Sequence, residues 1–208
     1  MKLRIPLATE RIRSLDASDM LRARIGRAYW GTSFDLIPEN LAHRNPLGAF
    51  IRNLHEHHAN GDGLLMFGDY GTGKTSAGVL VLKETMARGG TALMIPAERI
   101  SSAVIEKTTF DGEEDMWERM QDVDVLLLDD LRREHVKDFG KSVIESLIRR
   151  RYDQRLSTLV STNADMDELV RRYEASMAAL GEKCQPIPFE GINWRDDGGS
   201  SAGSAVCR

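Results

Sequence analysis

Near the end of its first third the chain reads Leu64-Leu65-Met66-Phe67-Gly68-Asp69-Tyr70-Gly71-Thr72-Gly73-Lys74-Thr75. A short apolar run typical of a buried strand leads directly into Gly-x-x-x-x-Gly-Lys-Thr, and residues with helical spacing follow. This order predicts a P-loop, the turn between a strand and a helix that binds nucleotide phosphates. A glycine-rich turn without a ligand would require the strand, the Lys-Thr pair and the helix to coincide by chance.

Each part of this loop has a predicted role in binding a nucleotide. Its glycines permit backbone torsions closed to other residues, so that consecutive amides can turn toward a β-phosphate. Lys74 is expected to place a positive charge near the β- and γ-phosphates, and the Thr75 hydroxyl to bind Mg²⁺. The predicted ATP-binding residues of the loop are Gly68, Asp69, Tyr70, Gly71, Thr72, Gly73, Lys74, Thr75 and Ser76.

Two further strands end in polar residues that suit the same site. Residues 123–130 read as a hydrophobic strand that ends in Asp129 and Asp130. The first carboxylate is predicted to hold Mg²⁺, and the second to orient or deprotonate an attacking water. Asn163 follows the strand at 156–162 and is predicted to hydrogen-bond that water or the γ-phosphate. The alternatives are an ordinary Asp-Asp turn and an ordinary turn asparagine.

Asp130 also bears on the expected rate. Its side chain is one methylene shorter than the glutamate common at this position in vigorous ATPases, so slow turnover is expected.

The alternation of strands and amphipathic helices predicts an α/β fold with a parallel five-stranded sheet between helices. Ligands of such sheets bind at the carboxyl ends of the strands, where the loop and the carboxylates are expected to meet. Asn45 and Pro46 predict a helix start with the asparagine as N-cap. Residues 187–189 predict a last short strand.

Composition and length set further bounds. The 208 residues suit one domain with a sizeable core. No apolar run approaches the length of about 18 residues that a transmembrane helix needs, and residues 1–7 are too short for a signal peptide, so a cytoplasmic protein without a membrane partner is expected. Cys184 and Cys207 have no metal-ligand spacing, which favours reduced thiols.

Charge is unevenly distributed around a formal net charge of −4. Residues 1–30 hold seven Lys/Arg against three acidic residues, and residues 1–40 are predicted to form a basic arm. The arm either is solvated or binds a partner or nucleic acid, with Tyr29, Trp30 and Phe34 packed on the core or near a base. The main domain is predicted at 41–195, followed by a disordered Gly/Ser-rich tail at 196–208.

As a set, these motifs resemble the AAA+ ATPases of the DnaC/IstB type, the bacterial and phage helicase loaders and the helper ATPases of transposition. The resemblance covers residues 30–195, with its marks at 68–75, 124–131, 151–152, 161–163 and 191–195. It implies an AAA+ type P-loop NTPase fold with little or no C-terminal lid domain. By the same resemblance, residues 68–75 correspond to Walker A, Asp129 and Asp130 to Walker B, Asn163 to sensor 1 and Arg195 to the sensor 2 position.

The resemblance also implies partners. The chain is expected to bind and hydrolyse ATP, to engage single-stranded DNA and to deliver a ring-shaped, DnaB-like replicative helicase to it, with assembly into a homo-oligomer in ATP as a possibility. An IstB-like helper of transposition and an ATP-dependent binding switch with negligible hydrolysis are the alternatives. The sequence does not separate a loader from a transposition helper, because both share the ATP site.

One stretch departs from the family pattern. Relatives usually carry a Gly-Glu-Arg stretch whose arginine reaches the neighbouring subunit's nucleotide, whereas residues 173–180 here hold no arginine. Arg171 and Arg172, just upstream, are candidate substitutes. Because the resemblance starts within the first forty residues, no separate amino-terminal helicase-binding domain is expected.

Cationic side chains elsewhere are the candidates for contacting DNA or a neighbouring subunit, a solvated face being the alternative. These candidates are Arg99, Lys107, Arg132, Arg133, Arg149, Arg150 and Arg151.

Overall fold

A computed structural model describes residues 6–100, 116–131, 137–191 and 193–194 of the chain. The strands are β1 (Gly63–Gly68), β2 (Ala92–Pro96), β3 (Val125–Asp129), β4 (Ser157–Thr162) and β5 (Cys184–Phe189). The helices are α1 (Ala17–Arg22), α2 (Arg44–Arg52), α3 (Leu54–Asn60), α4 (Lys74–Ala87), α5 (Met116–Asp122), α6 (Lys137–Asp153), α7 (Met166–Arg172) and α8 (Glu174–Lys183). Short 3₁₀ turns lie at Arg27–Tyr29, Phe34–Leu36 and Ala97–Arg99.

The five strands form one parallel sheet in the order β2-β3-β4-β1-β5. The predicted parallel five-stranded sheet is therefore confirmed. Strand β4 lies between β1 and β3, in register with β1 at Phe67 and Thr162 and with β3 at Leu128 and Val160. The strands are parallel and adjacent, so the carboxyl ends of β1, β3 and β4 lie side by side at one end of the sheet. The P-loop, the two aspartates and Asn163 are therefore neighbours.

Helices cover both faces of the sheet because strand residues alternate between them. In β1, Leu64 and Met66 join the hydrophobic cluster that includes α4, whereas Leu65 joins the cluster that includes α6. Strand β3 alternates in the same way, with Leu127 on the α4 side and Leu126 on the other side. The sheet is thus apolar on both faces, and its polar chemistry is confined to the strand ends.

The described part of the N-terminal arm packs on the same core. Leu7, Met20, Ala23 and Ile25 are buried in the α4-side cluster. Tyr29, Trp30 and Phe34 pack half-buried against it, which is the core-packing alternative for these aromatic residues. The domain boundary at residue 40 stays a prediction.

Two of the arm's arginines have carboxylate partners. The Nε of Arg11 donates to Glu84 at 2.7 Å, and Arg13 donates to Asp19 at 2.7 and 2.8 Å. These pairs link the arm to α4 and to the first turn of α1, while the Arg11 side chain stays 69% exposed.

The two edge strands of the sheet, β2 and β5, differ in how their outer backbone groups are covered. At one edge, the Met94 amide of β2 donates to the Ala23 carbonyl of the arm at 2.9 Å. At the other edge, β5 carries Pro186 and Pro188, which lie opposite Leu65 and Phe67 of β1. Proline lacks a backbone N–H and is therefore confined to edge strands. Strand β5 also begins three residues earlier than the predicted strand at 187–189.

The predicted start of α2 was wrong by two residues. The helix begins at Arg44 with His43 at the N-cap position, so Asn45 and Pro46 lie inside the first turn. The first-turn amides of a helix have no acceptor within it, so a proline is tolerated there. Among the described helices, none is both long and apolar enough to cross a lipid bilayer.

Candidate functional site

The predicted P-loop lies between β1, which ends at Gly68, and α4, which begins at Lys74. Gly68 has a φ of +127°, and a Cβ atom there would lie 2.2 Å from the carbonyl oxygen of Phe189. Both the torsion and the contact exclude any other residue at this position. The first glycine therefore lets the loop leave the sheet while β5 passes directly beside it.

Lys74 is buried beneath the loop. Its ammonium donates to the carbonyl oxygens of Gly68 at 2.8 Å and Asp69 at 2.5 Å. The Thr72 hydroxyl also donates to the Asp69 carbonyl, at 2.8 Å. These bonds hold the loop in a closed turn around the lysine, at the N-terminal end of α4, where the helix dipole favours an anion.

The remaining predicted loop residues surround this turn. Tyr70 lies at the exposed apex with 47% of its surface accessible, and Ser76 lies half-buried in the first turn of α4. Ser76 follows Thr75 directly in this turn, but within the described part of the chain only Thr75 is seen in contact with a strand end.

Thr75 and Asp129 are brought into direct contact, as predicted residues of one site. The Thr75 hydroxyl donates to Asp129 Oδ1 at 2.9 Å, and the Ser161 hydroxyl donates to the same oxygen at 2.6 Å. Burial raises the pKa of Asp129, although these two hydrogen bonds favour the charged carboxylate and oppose that rise. A hydroxyl and a carboxylate oxygen therefore converge where the loop meets β3.

Asp130 and Asn163 form a second contact beside the first. The Asn163 amide group donates to Asp130 Oδ1 at 2.8 Å. The Asp130 backbone has a φ of +57°, in the left-handed region that few residues other than glycine, asparagine and aspartate adopt. Its N–H donates to the Ser161 hydroxyl at 2.9 Å. The structure brings the predicted residues Asp130 and Asn163 together and adds Ser161, for which no role was predicted.

The segment after β5 also reaches the P-loop, and this contact was not predicted from the sequence. The Trp194 amide donates to the Gly71 carbonyl at 3.1 Å. A Cβ atom on Gly71 would lie 1.7 Å from Asn193 Oδ1, so the asparagine side chain fills the space that any larger residue would need. The family-like segment at 191–195 was a sequence signal for this contact, but only Arg195 was given a role. Arg195 itself lies outside the described residues, as do residues 196–208.

Arg151 is not a surface cation, and its prediction as a DNA or subunit contact was wrong. The side chain is fully buried. Its guanidinium donates to the carbonyls of Met120 and Val123 at 2.9 Å and to that of Ser157 at 2.7 Å. Its Nε donates to Thr158 Oγ1 at 3.1 Å. Arg151 therefore links α6 to the starts of β3 and β4, at the opposite end of these strands from the P-loop.

The other cationic candidates are exposed or undescribed. Arg99, Arg149 and Arg150 lie on the surface, with Arg149 3.4 Å from Asp153. Arg171 and Arg172 occupy the last turn of α7, ahead of the buried Tyr173. Lys107, Arg132 and Arg133 lie outside the described residues.

Comparisons with known proteins found relatives in sequence and in fold. The chain is 27% identical over 131 residues to the replicative helicase loader DnaC of Escherichia coli strain K12, a match that covers 61% of this chain and 53% of DnaC. The chain thus spans about half the length of the curated relatives it matches. No protein-family profile matches it.

Solved structures extend the likeness to the fold. A crystal structure of the DnaC helicase loader superposes with a TM-score of 0.70 at 21% identity, covering 79% of this chain and all of that chain. The replication initiator DnaA bound to AMPPCP and single-stranded DNA superposes with a TM-score of 0.60 at 19% identity, covering 81% of this chain and 52% of that one. The predicted AAA+ P-loop fold and the predicted resemblance to DnaC-type AAA+ proteins are therefore both confirmed.

Proposed function

We propose that this chain is an AAA+ ATPase that binds ATP with Mg²⁺, hydrolyses it, and acts in DNA replication as a DnaC-like helicase loader. The observation that carries the proposal is the 2.9 Å contact between Thr75 and Asp129, directly beside the buried Lys74. A P-loop hydroxyl that meets a strand-end carboxylate is the pairing that nucleotide-bound Mg²⁺ requires.

The phosphate groups of ATP would lie against the backbone amides of residues 68–75 and the first turn of α4. Lys74 would move its ammonium from the loop carbonyls toward the β- and γ-phosphates. Arg195 is proposed to contact the γ-phosphate, because its neighbour Trp194, in the segment after β5, already meets the P-loop at Gly71.

The residues present fit a Mg²⁺ ion held jointly with the nucleotide. Thr75 and Asp129 supply oxygen ligands, which this hard cation prefers. Among the described residues, no group of three or more His, Cys, Asp or Glu side chains forms a metal site by itself. We therefore expect phosphate oxygens and water to complete the coordination, as is usual for Mg²⁺ at phosphate sites. The ion would supply charge stabilisation to the transferring phosphoryl group.

Hydrolysis would depend on Asp130 and Asn163. Asp130 is proposed as the general base or orienting group for the attacking water, and Asn163 as the amide that fixes its position. Their 2.8 Å hydrogen bond supports this pairing, since the two side chains reach one point at the end of the sheet.

The replication role rests on the relatives. The curated matches are replicative helicase loaders, and a DnaA structure with the same fold carries single-stranded DNA. We accordingly propose a ring-shaped, DnaB-like helicase and single-stranded DNA as partners, with assembly of several copies in ATP.

The nucleotide site is tested with Lys74→Ala in a fluorescent-nucleotide titration. We expect ATP binding to be abolished, while Lys141→Ala, at a half-exposed lysine of α6, leaves it intact. Unchanged affinity in Lys74→Ala would count against the whole site.

The replication role is tested on the parent chain. Phosphate release is measured with and without single-stranded DNA, and capture of a ring helicase is measured in ATP. Stimulation by DNA together with helicase capture supports the loader. Capture of a transposase instead would favour the transposition helper, and ATP binding without DNA-stimulated release would favour the switch.

A further inference from the structure

The end of β4 holds the end of β3 through three consecutive residues. The Ser161 hydroxyl bonds to Asp129, the Thr162 hydroxyl donates to the Leu131 carbonyl at 2.6 Å, and Asn163 bonds to Asp130. In the backbone, the Leu131 amide donates to the Ser161 carbonyl at 2.8 Å. The turn that carries both aspartates is therefore fixed, residue by residue, from the neighbouring strand.

Ser161 is the member of this set that touches both aspartates. Its single hydroxyl proton goes to Asp129 Oδ1 at 2.6 Å, and its oxygen accepts the Asp130 N–H at 2.9 Å. The side chain is buried, with 2% of its surface accessible, so water cannot readily replace either bond. One hydroxyl thus couples the orientation of the Asp129 carboxylate to the backbone of Asp130.

The Asp130 backbone needs such a restraint. Its φ of +57° lies in the left-handed region, which costs an L-residue about 1 kcal/mol or more relative to ordinary torsions. Strained torsions persist only where surrounding contacts determine them. The hydrogen bond from the Asp130 N–H to the Ser161 hydroxyl is a contact that holds the backbone in this torsion.

We infer that Ser161 is a positioning residue for ATP hydrolysis: it aims Asp129 at the metal and holds Asp130 in the torsion from which its carboxylate meets the attacking water. This inference rests on the proposed function. Groups that orient a metal-binding side chain typically contribute 10- to 100-fold to metal affinity or activity. Ser161 is not placed in contact with substrate, so its effect is exerted through the two aspartates.

The test compares Ser161→Ala with Ser157→Ala. Ser157 lies on the same strand with the same 2% exposure, and its hydroxyl has no hydrogen-bond partner among the described residues. In Ser161→Ala, ATP affinity measured in EDTA should stay at the parent value. The gain in affinity on adding Mg²⁺, and kcat, should each fall by about 10- to 100-fold. Ser157→Ala should keep both, and Ser161→Thr, which restores a hydroxyl, should recover both.

A second readout does not depend on nucleotide. Hydrogen exchange at the Asp130 amide should accelerate in Ser161→Ala and remain at the parent rate in Ser157→Ala, because only the first substitution removes its acceptor. The inference is overturned if Ser161→Ala keeps the parent Mg²⁺ dependence and kcat, or if the Asp130 amide exchanges at the parent rate. If the parent chain binds no ATP, the proposed function fails separately, and the Asp130 amide still decides whether Ser161 holds this turn.

Discussion

At Asp130 an unusual backbone torsion and the proposed general base coincide. Asparagine is nearly isosteric with aspartate and tolerates a positive φ, so Asp130→Asn should preserve the turn and the bond from Asn163. We expect this variant to bind ATP like the parent and to lose turnover by about 10²-fold or more, because the general base is removed.

Equilibrium nucleotide titration and steady-state phosphate release would measure these two quantities. Asp167→Asn, at an exposed residue of α7, is the matched control. Hydrolysis at the parent rate would remove Asp130 from the mechanism.

Arg151 should matter for stability and not for DNA binding. Arg151→Ala would leave the carbonyls of Met120, Val123 and Ser157 without this donor, and each such loss costs about 1–3 kcal/mol. We expect a fall in the free energy of unfolding of about 3 kcal/mol or more, measured by urea denaturation. Arg150→Ala, at the exposed neighbour, should change it by less than about 0.5 kcal/mol. Equal effects of the two substitutions would contradict this role.

The wrong prediction that Arg151 contacts DNA or a neighbour came from its position in a run of three arginines. Three consecutive arginines at a helix end suggest a charged surface. On a helix, however, Arg151 follows Leu147 by four residues and Ile148 by three, so it continues their apolar stripe. That spacing was available in the sequence. The carbonyl acceptors that make burial of the guanidinium possible could not be predicted from that spacing. They lie near the ends of α5, β3 and β4, which meet only in the folded protein.

Among the elements, α3 is joined to the residue that precedes β3 by an ionisable pair of the buried His58 and the partly buried Asp124. His58 Nε2 lies 3.0 Å from Asp124 Oδ1, and Thr91 donates to the other oxygen through its amide and its hydroxyl. Burial alone would raise the pKa of Asp124, but the hydrogen bonds from His58 and Thr91 outweigh it and hold the pKa at about 2. The folded protein therefore favours the charged form of Asp124 more strongly than the unfolded chain does.

This pKa shift predicts a pH-dependent stability. A carboxylate with a lowered folded-state pKa stabilises the fold above its unfolded pKa, and this stabilisation is lost as the pH falls from about 4 toward 2. Its size at neutral pH is about 2 kcal/mol. Asp124→Asn should remove that part of the acid dependence, as measured by urea unfolding at a series of pH values. Asp122→Asn, at an exposed neighbour, should leave it in place, and an unaltered profile in Asp124→Asn would refute the assignment.

At this scale the sequence was informative where local signals were strong. The P-loop and the two aspartates followed from apolar runs bounded by glycine or carboxylates, and the parallel sheet followed from the alternation of strands and helices. Asn163 depended on the order of the strands, since an asparagine after a strand is by itself an ordinary turn residue. The N-terminus of α2 was displaced because proline fits any position of a first helical turn. The N-terminal half of β5 was not predicted because Gln185 and Pro186 do not suit an ordinary strand.

For the whole molecule, the missing arginine at 173–180 has a kinetic consequence. This stretch begins at the buried Tyr173 and continues as α8, which packs on the core, so the structure gives it a supporting role. An arginine supplied by a neighbour accelerates phosphoryl transfer by about 10³- to 10⁵-fold. Without one, specific ATPase activity should rise little with protein concentration.

Phosphate release per chain, measured across a wide range of concentrations, would check this expectation. A steep rise that disappears in Arg171→Ala would show instead that an arginine of α7 acts on a neighbouring nucleotide.

The prolines of β5 have a consequence for how copies of the chain can meet. Backbone N–H groups of an edge strand turn alternately inward and outward, and Gln185, Ile187 and Phe189 retain donors for β1. Pro186 and Pro188 then face outward and offer no donor to an incoming strand. The opposite edge is occupied at Met94 by the arm. The sheet is thus a poor template for fibril growth by strand addition, and we expect any ring or filament of this chain to form through contacts between helical and loop surfaces.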